Sequence, residues 1–181
     1  MSGRSTPAGH RSVSPLRAEA APSPLMIDAL IETLHSDLPP SRLLGVEVLA
    51  AQAGGVTLGA PLAANRNHLG TAFAGSLNAV ATLAGWSWLW VYLRGLREEA
   101  RIVIQDSAIR YLRPVDSDFQ ATCDAPGATA VQRFLKALHR SGRGRVELAV
   151  TLSDQRGPAA QFAGRYVAEH MRSRRRGAST E

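Results

Sequence analysis

Hydrophobic and polar positions along the chain follow two periods, and the switches between them mark out the elements. After Pro24, the apolar residues Leu25, Ile27, Leu30, Ile31 and Leu34 recur at helical spacing until Leu38-Pro39-Pro40 interrupts them. A short amphipathic helix is predicted there. Two strand-like runs follow, GVEVLAAQ and GVTLGAPL, separated at Gly54 and Gly55, the residue type that a tight hairpin turn requires. Val46, Val48 and Ala50 are expected on one face of the first strand, and Val56, Leu58, Ala60 and Leu62 on one face of the second. From Asn67 to Leu93 the chain carries no Lys, Arg, Asp or Glu.

Strand periodicity returns in RIVIQDSAIRYLRP, from Arg101 to Pro114. Its apolar phase slips: Ile102 and Ile104 share a face, whereas Ile109 and Tyr111 fall on the other face of an uninterrupted strand. A β-bulge near Asp106 and Ser107 reconciles the two. DFQATCDA then alternates Phe119, Ala121 and Cys123 with polar neighbours, and Val131, Phe134, Leu135 and Leu138 fit a helix ending near Gly142. RVELAVTLSD directs Val146, Leu148, Val150 and Leu152 inward, and AAQFAGRYVAEH does the same with Phe162, Gly164, Tyr166 and Ala168. The order is helix, two strands, long helix, two strands, helix, two strands. Closely spaced strands of this kind predict an antiparallel sheet with helices on one face, an α+β fold.

The long uncharged segment has to be placed. From Ser76 to Leu93 it would make a helix about 27 Å long, close to the ~30 Å that a bilayer span must cross. Its pattern favours another setting. Gly75, Asn78, Thr82 and Gly85 line one face, Ala79, Leu83, Trp86, Trp90 and Leu93 another, and the three tryptophans sit mid-to-late rather than at both ends. One polar stripe on an otherwise apolar helix fits a helix wrapped by a sheet, with the stripe facing the sheet or a ligand channel. No transmembrane span is therefore expected.

The net charge of +6 first suggests nucleic acid, but the tails carry most of it. Residues 1–23 hold three Arg and one Glu, residues 171–181 four Arg and one Glu, and the remainder is close to neutral. Without aromatic residues interleaved for base stacking, the basic tail MRSRRRGASTE reads as solvated, and a nucleic-acid partner is not expected. Residues 1–23 lack the apolar core of a secretory signal, and Cys123 is alone, which excludes a disulfide framework and a cysteine metal site. The expected organisation is a disordered tail over 1–23, one domain over 24–170 and a basic tail over 171–181, in a cytoplasmic protein.

Together NHLGTAFAGSL before the long helix, QDSAIRYLRPVDSDFQATC, GRVELAVTLSD and QFAGRYVA, in that order, resemble the hotdog-fold thioesterase superfamily over about residues 24–170. The most similar branch is the thioesterase-like domain that some bacteria carry behind a GNAT-type acetyltransferase; residues 1–23 are too short to be that enzyme. The resemblance implies a curved antiparallel sheet wrapped around one central helix. It also implies homodimers or homotetramers with sheets paired edge to edge, and acyl-CoA or acyl-carrier-protein thioesters bound at the dimer interface. Coenzyme A enters only as part of the substrate, and no separate cofactor or metal is expected.

Thioester hydrolysis needs a polarised carbonyl, an activated water and a groove for the pantetheine arm. Gly75 and Ser76 stand at the start of the long helix, where unpaired N–H groups suit a developing oxyanion. Gly70 and Gly75 permit close approach to the backbone, and Thr71 or Ser76 is equally able to cap the helix. Ser76 lacks the G-x-S-x-G setting of a covalent nucleophile, so direct attack by water is expected. Asn67 is a candidate to position that water and His68 a candidate base, with Asn65 as a substitute for Asn67 if the loop is shifted. In much of the superfamily an acidic residue on the helix activates water, and the matching position here is Thr82, a poor base. Asp106 is the replacement candidate, expected to meet Asn67 or Asn78 across the channel. Phe73, Asn78, Thr82, Ser107 and Tyr111 complete the expected substrate-binding set. Arg133, Lys136, Arg140, Arg143 and Arg145 form either a coenzyme A phosphate site or a solvated face. The absence of an acidic residue at position 82 leaves a second reading open, a module that binds acyl thioesters without cleaving them.

Overall fold

A computed structural model describes residues 24–171, so the expectations for the tails at 1–23 and 172–181 lie outside the described residues. The chain forms α1 (Pro24–Asp37), α2 (Pro40–Leu43), β1 (Glu47–Gln52), β2 (Gly55–Ala60), α3 (Leu62–Asn65), α4 (Ala74–Gly95), β3 (Ala100–Tyr111), β4 (Phe119–Asp124), α5 (Ala128–Ser141), β5 (Arg143–Asp154) and β6 (Gly157–His170). The predicted order is present, with the single turns α2 and α3 added at Pro40 and Leu62. Both begin at or directly after a proline, whose fixed φ suits a first helical turn.

The six strands form one antiparallel sheet in the order β1-β2-β4-β5-β6-β3. Helix α4 lies between α3 and β3 in the chain and packs against all six strands. The inward rows expected on β4, β5 and β6 are all buried, from Phe119, Ala121 and Cys123 to Phe162, Tyr166 and Ala168. They enclose Leu77, Val80, Ala81, Ala84, Trp88 and Leu89 of α4. Burial of so much apolar surface on a single helix is the main stabilising term of the fold. No helix of the described residues is long and apolar enough to cross a membrane.

Gly85 explains how the helix approaches the sheet so closely. A Cβ there would lie 2.6 Å from Cζ of Tyr166, so only glycine leaves room for that ring. Tyr166, fully buried, donates its hydroxyl to the Thr82 carbonyl at 2.8 Å. The Gly85 and Thr82 half of the polar stripe thus faces β6. Towards the helix start the stripe emerges: Asn78 is half-buried and Gly75 exposed.

Two strands carry an extra residue. On β3 the register shifts between Ile104 and Asp106, which leaves Gln105 as the bulge and lets Ile102, Ile104 and Ile109 all pack against the core, as the phase slip required. On β1 a shift between Val48 and Ala50 was not foreseen. It turns Leu49 to the outer face against Gly59 and buries Ala51 where Ala50 had been expected. The hairpin pairs Gln52 with Gly55, so its turn is Ala53-Gly54, one residue earlier than the glycine pair suggested. Helix α5 ends as predicted, with Gly142 in the left-handed conformation (φ 70°) closing the last turn.

Candidate functional site

The segment from Asn65 to Phe73 delivers the chain to the first turn of α4, and two asparagines shape it. Asn65 is buried, donates to the Leu44 and Pro61 carbonyls (both 2.8 Å), and accepts the Phe73 N–H on its own backbone oxygen (2.7 Å). It pins the loop to the body of the protein, and its side chain is buried outside the lining of the pocket described below. Asn67 closes the turn itself. Its Oδ1 accepts the N–H groups of Leu69 (2.8 Å) and Thr71 (3.2 Å), and its Nδ2 donates to Thr71 Oγ1 (3.0 Å). Gly70, at φ 81°, takes the left-handed residue of this turn. One Nδ2 hydrogen of Asn67 and the hydroxyl hydrogen of Thr71 remain for a ligand.

The turn ends at Phe73, the N-cap of α4, which supplies no side-chain cap. The first-turn N–H groups of Ala74, Gly75 and Ser76 are therefore uncapped by any side chain and carry the positive end of a helix of 22 residues. Ser76 turns its side chain inward and is buried, so its contribution here is its backbone N–H. The Phe73 ring lies over Gly75, where a Cβ would be 2.8 Å from its Cζ. Phe73 and Leu69 remain 55% and 74% exposed, and His68 is exposed on the same turn.

Tyr111, at the end of β3, reaches across to this helix terminus and donates its hydroxyl to the Ala74 carbonyl at 2.9 Å. Between them lies a pocket of about 360 Å³ lined by Asn67, Thr71, Ala74, Leu77, Tyr111 and Arg113, among others. Its far wall is the loop after β3. Ala72 N–H donates to the Val115 carbonyl (2.7 Å), and Arg113 makes a bidentate pair with Asp154 (2.7 and 2.6 Å). That guanidinium holds the Asp154 carboxyl well below the usual carboxylate range. Sequence reasoning missed Arg113 and Leu77. The partner of Arg113 is 41 residues away, and no local pattern announces such a pair.

The remaining candidates separate. Ser107 pairs with Gly164 on the face of β3 that looks toward α4. Thr82 spends its hydroxyl on the Asn78 carbonyl (2.9 Å) within the helix. Asp106 is placed by the Gln105 bulge opposite Arg165, on the outer face of the sheet. There it forms an ion pair with Arg165 at 3.1 Å, and Arg165 also holds Glu147 at 2.9 Å. Within one copy Asp106 is turned away from Asn67 and Asn78, because the residue that bulges is Gln105. The five basic residues also divide. Arg133, Lys136 and Arg140 lie exposed on α5, whereas Arg143 pairs with Glu169 (3.1 Å) and Arg145 donates to Gln105 (3.2 Å). No group of three or more potential metal ligands occurs among the described residues.

An uncapped central-helix terminus at the mouth of a pocket, beneath a wrapped antiparallel sheet, narrows the comparison with known proteins. One family profile, YiiD_C, described as "Putative thioesterase (yiiD_Cterm)", matches residues 27–170. The chain belongs to the YiiD_C family. Among solved structures, this YiiD_C protein is similar to the "putative thioesterase from Shewanella oneidensis", with 33% identity, a TM-score of 0.73, and coverage of 80% of this chain and 98% of that one. It is also similar to a protein of unknown function from Chlorobaculum tepidum TLS (25% identity, TM-score 0.76, coverage 80% and 94%). A mutant thioesterase from Pseudomonas aeruginosa matches at 13% identity with a TM-score of 0.63 and coverage of 80% and 94%, a likeness of fold alone. The YiiD_C chain thus has the hotdog fold that its sequence resembles.

Proposed function

We propose that this YiiD_C protein hydrolyses acyl-CoA or acyl-carrier-protein thioesters by direct attack of water, in a site completed where two copies join along β3. The observation that carries the reading is the uncapped α4 terminus opening on the Asn67, Thr71 and Tyr111 pocket. The Gly75 and Ser76 N–H groups would receive the thioester oxygen and stabilise its negative charge in the tetrahedral intermediate. Asn67 and Thr71 would orient the water through their unspent hydrogens, and His68 would take its proton. Asp106, facing the other way, is assigned no part. The exposed side chains of Phe73 and Leu69 would cover the acyl group.

The dimer is supported by the open edge of the sheet. Strand β3, 12 residues long, has only β6 as partner among the described residues. The flank of α4 beside that edge leaves Leu83, Trp86 and Trp90 half-buried. An open edge next to apolar surface is a template for pairing, and a second copy running antiparallel would satisfy both.

A second reading, a module that binds acyl thioesters without cleaving them, is favoured by one feature: no carboxylate lines the pocket, and Thr82 is bonded within its own helix. Thiol release from short-, medium- and long-chain acyl-CoAs separates the two. The Gly75→Pro variant removes one proposed oxyanion donor in the first helical turn; because its ring carbons would crowd Phe73, whose exposed ring must swing aside, Phe73→Ala is the control for that movement. Gly75→Pro is expected to lower kcat by about 10²–10³-fold. Tight acyl-CoA binding by the natural chain with no thiol released would select the module.

A further inference from the structure

Helix α4 ends about 30 Å from the terminus that opens on the Asn67 pocket, and its closing turn is built outward. Arg97 N–H donates to the Arg94 carbonyl and Glu98 N–H to the Leu93 carbonyl, both at 3.0 Å, the pair of bonds that closes a helix through one left-handed residue. Glycine is the usual choice at that residue, but here it is Arg97, at φ 60°. The turn leaves Arg94, Gly95, Leu96 and Arg97 exposed in succession, with Leu96 at 46%. Met171 stands on the same end of the molecule, 67% exposed. Its N–H donates to the Glu99 carbonyl (3.3 Å), and it lines one hollow with Arg94 and Arg97.

Other elements begin or end beside this turn. Ala100 of β3 pairs with His170 of β6, Arg143 of β5 pairs with Glu169, and the last turn of α5 arrives through His139. The acidic groups here have cationic or histidine neighbours. Glu98 is held by His139 (2.9 Å) and His170 (3.1 Å), Glu169 by Arg101 (3.0 Å) and Arg143 (3.1 Å), and exposed Glu99 is left to offset Arg94 and Arg97. Arg140, exposed on the last turn of α5, adds to the positive excess. So does the sequence beyond Met171, where Arg172, Arg174, Arg175 and Arg176 follow.

Leucine and methionine exposed among arginines narrow the choice of partner. Single-stranded nucleic acid rewards cations and aromatic stacking, to which neither Leu96 nor Met171 contributes. An anionic bilayer rewards both features. Lipid phosphates attract the guanidinium groups, and apolar side chains enter the boundary between headgroups and acyl chains. Such attachment needs no spanning segment, and no described helix is long and apolar enough to provide one.

We infer that this end of the molecule docks reversibly on bilayers that carry anionic phospholipid, with Leu96 and Met171 entering the headgroup boundary and Arg94 and Arg97 meeting lipid phosphates. The arginines that follow Met171 supply further charge of the same sign. The inference is independent of the thioester reading, because the docking turn and the Asn67 pocket lie at opposite ends of α4.

The test sediments the full chain with vesicles of phosphatidylcholine alone and of phosphatidylcholine mixed with phosphatidylglycerol. Binding is expected only to the mixed vesicles and should weaken as salt rises. Leu96→Ser/Met171→Ser should lower the affinity about tenfold, and Arg94→Gln about fivefold. Arg97→Gly separates docking from folding. It should bind the mixed vesicles about fivefold more weakly, while its urea midpoint stays level or rises, because glycine suits φ 60°. No binding to the mixed vesicles, or equal binding to the neutral ones, overturns the proposal. So does binding that is unchanged in Leu96→Ser/Met171→Ser and equally strong to single-stranded RNA, which would mark an attraction of the basic tail for any polyanion.

Discussion

Replacing Gly85 with alanine sets two effects of opposite sign against each other. In an exposed helix interior the change would stabilise by about 1 kcal/mol. Here the new methyl would stand 2.6 Å from Cζ and 2.8 Å from Cε2 of Tyr166, a ring with no solvent exposure that is packed in the core. Relieving such an overlap in a packed core costs about 1–3 kcal/mol. Displacing the ring also strains or breaks its hydrogen bond to the Thr82 carbonyl, worth about 0.5–1.5 kcal/mol. The net expectation is a loss of about 1–3 kcal/mol after the propensity gain is subtracted. In urea, with a slope of about 2 kcal/mol/M, the midpoint should fall by about 0.5–1.5 M. Tyr166→Phe alone should cost about 1 kcal/mol. Because the hydroxyl is the atom closest to the intruding methyl, the two changes together should cost less than their sum. A Gly85→Ala protein as stable as the natural chain, or strict additivity in the double variant, would refute the close-approach argument.

Other outcomes follow from the same coordinates. Burial first, and then the neighbouring Asp124 charge, push the Cys123 thiol up to about 12. The native protein should therefore resist a thiol reagent at pH 8 and react only when urea unfolds it. Arg113 holds Asp154 below its unfolded value, so the stabilisation this pair gives is complete above about pH 4 and is lost as pH falls further. The acid limb of a pH–stability curve should flatten in Asp154→Asn, and an unchanged limb would dismiss the pair as a source of acid lability. Asp106→Asn removes an exposed ion pair on the outer face and should leave thiol release as it was; a large loss would restore Asp106 to the mechanism. His68→Ala should lower kcat by about 10²–10⁴-fold if His68 is the base; unchanged turnover would exclude it.

What the sequence by itself determined is what repeats locally. The alternation in RVELAVTLSD and QFAGRYVA set which residues of β5 and β6 face inward, because side chains on a strand project with a period of two. The slipped phase between Ile104 and Ile109 announced the β3 bulge for the same reason. The uncharged run after Asn67, its glycine-rich approach and its polar stripe foretold a buried helix with an open leading turn. Tertiary structure alone decided which way each polar group points once such a bulge is placed to the residue. A shift of one position, from Asp106 to Gln105, moved a candidate base to the opposite side of the sheet. Long-range pairing also settled that Asn65 is a buried pin, that Arg113 fixes the pocket wall through Asp154, and that Tyr111 reaches Ala74. Those contacts join residues distant along the chain, and their geometry follows from how the sheet curls around α4, which no local period encodes.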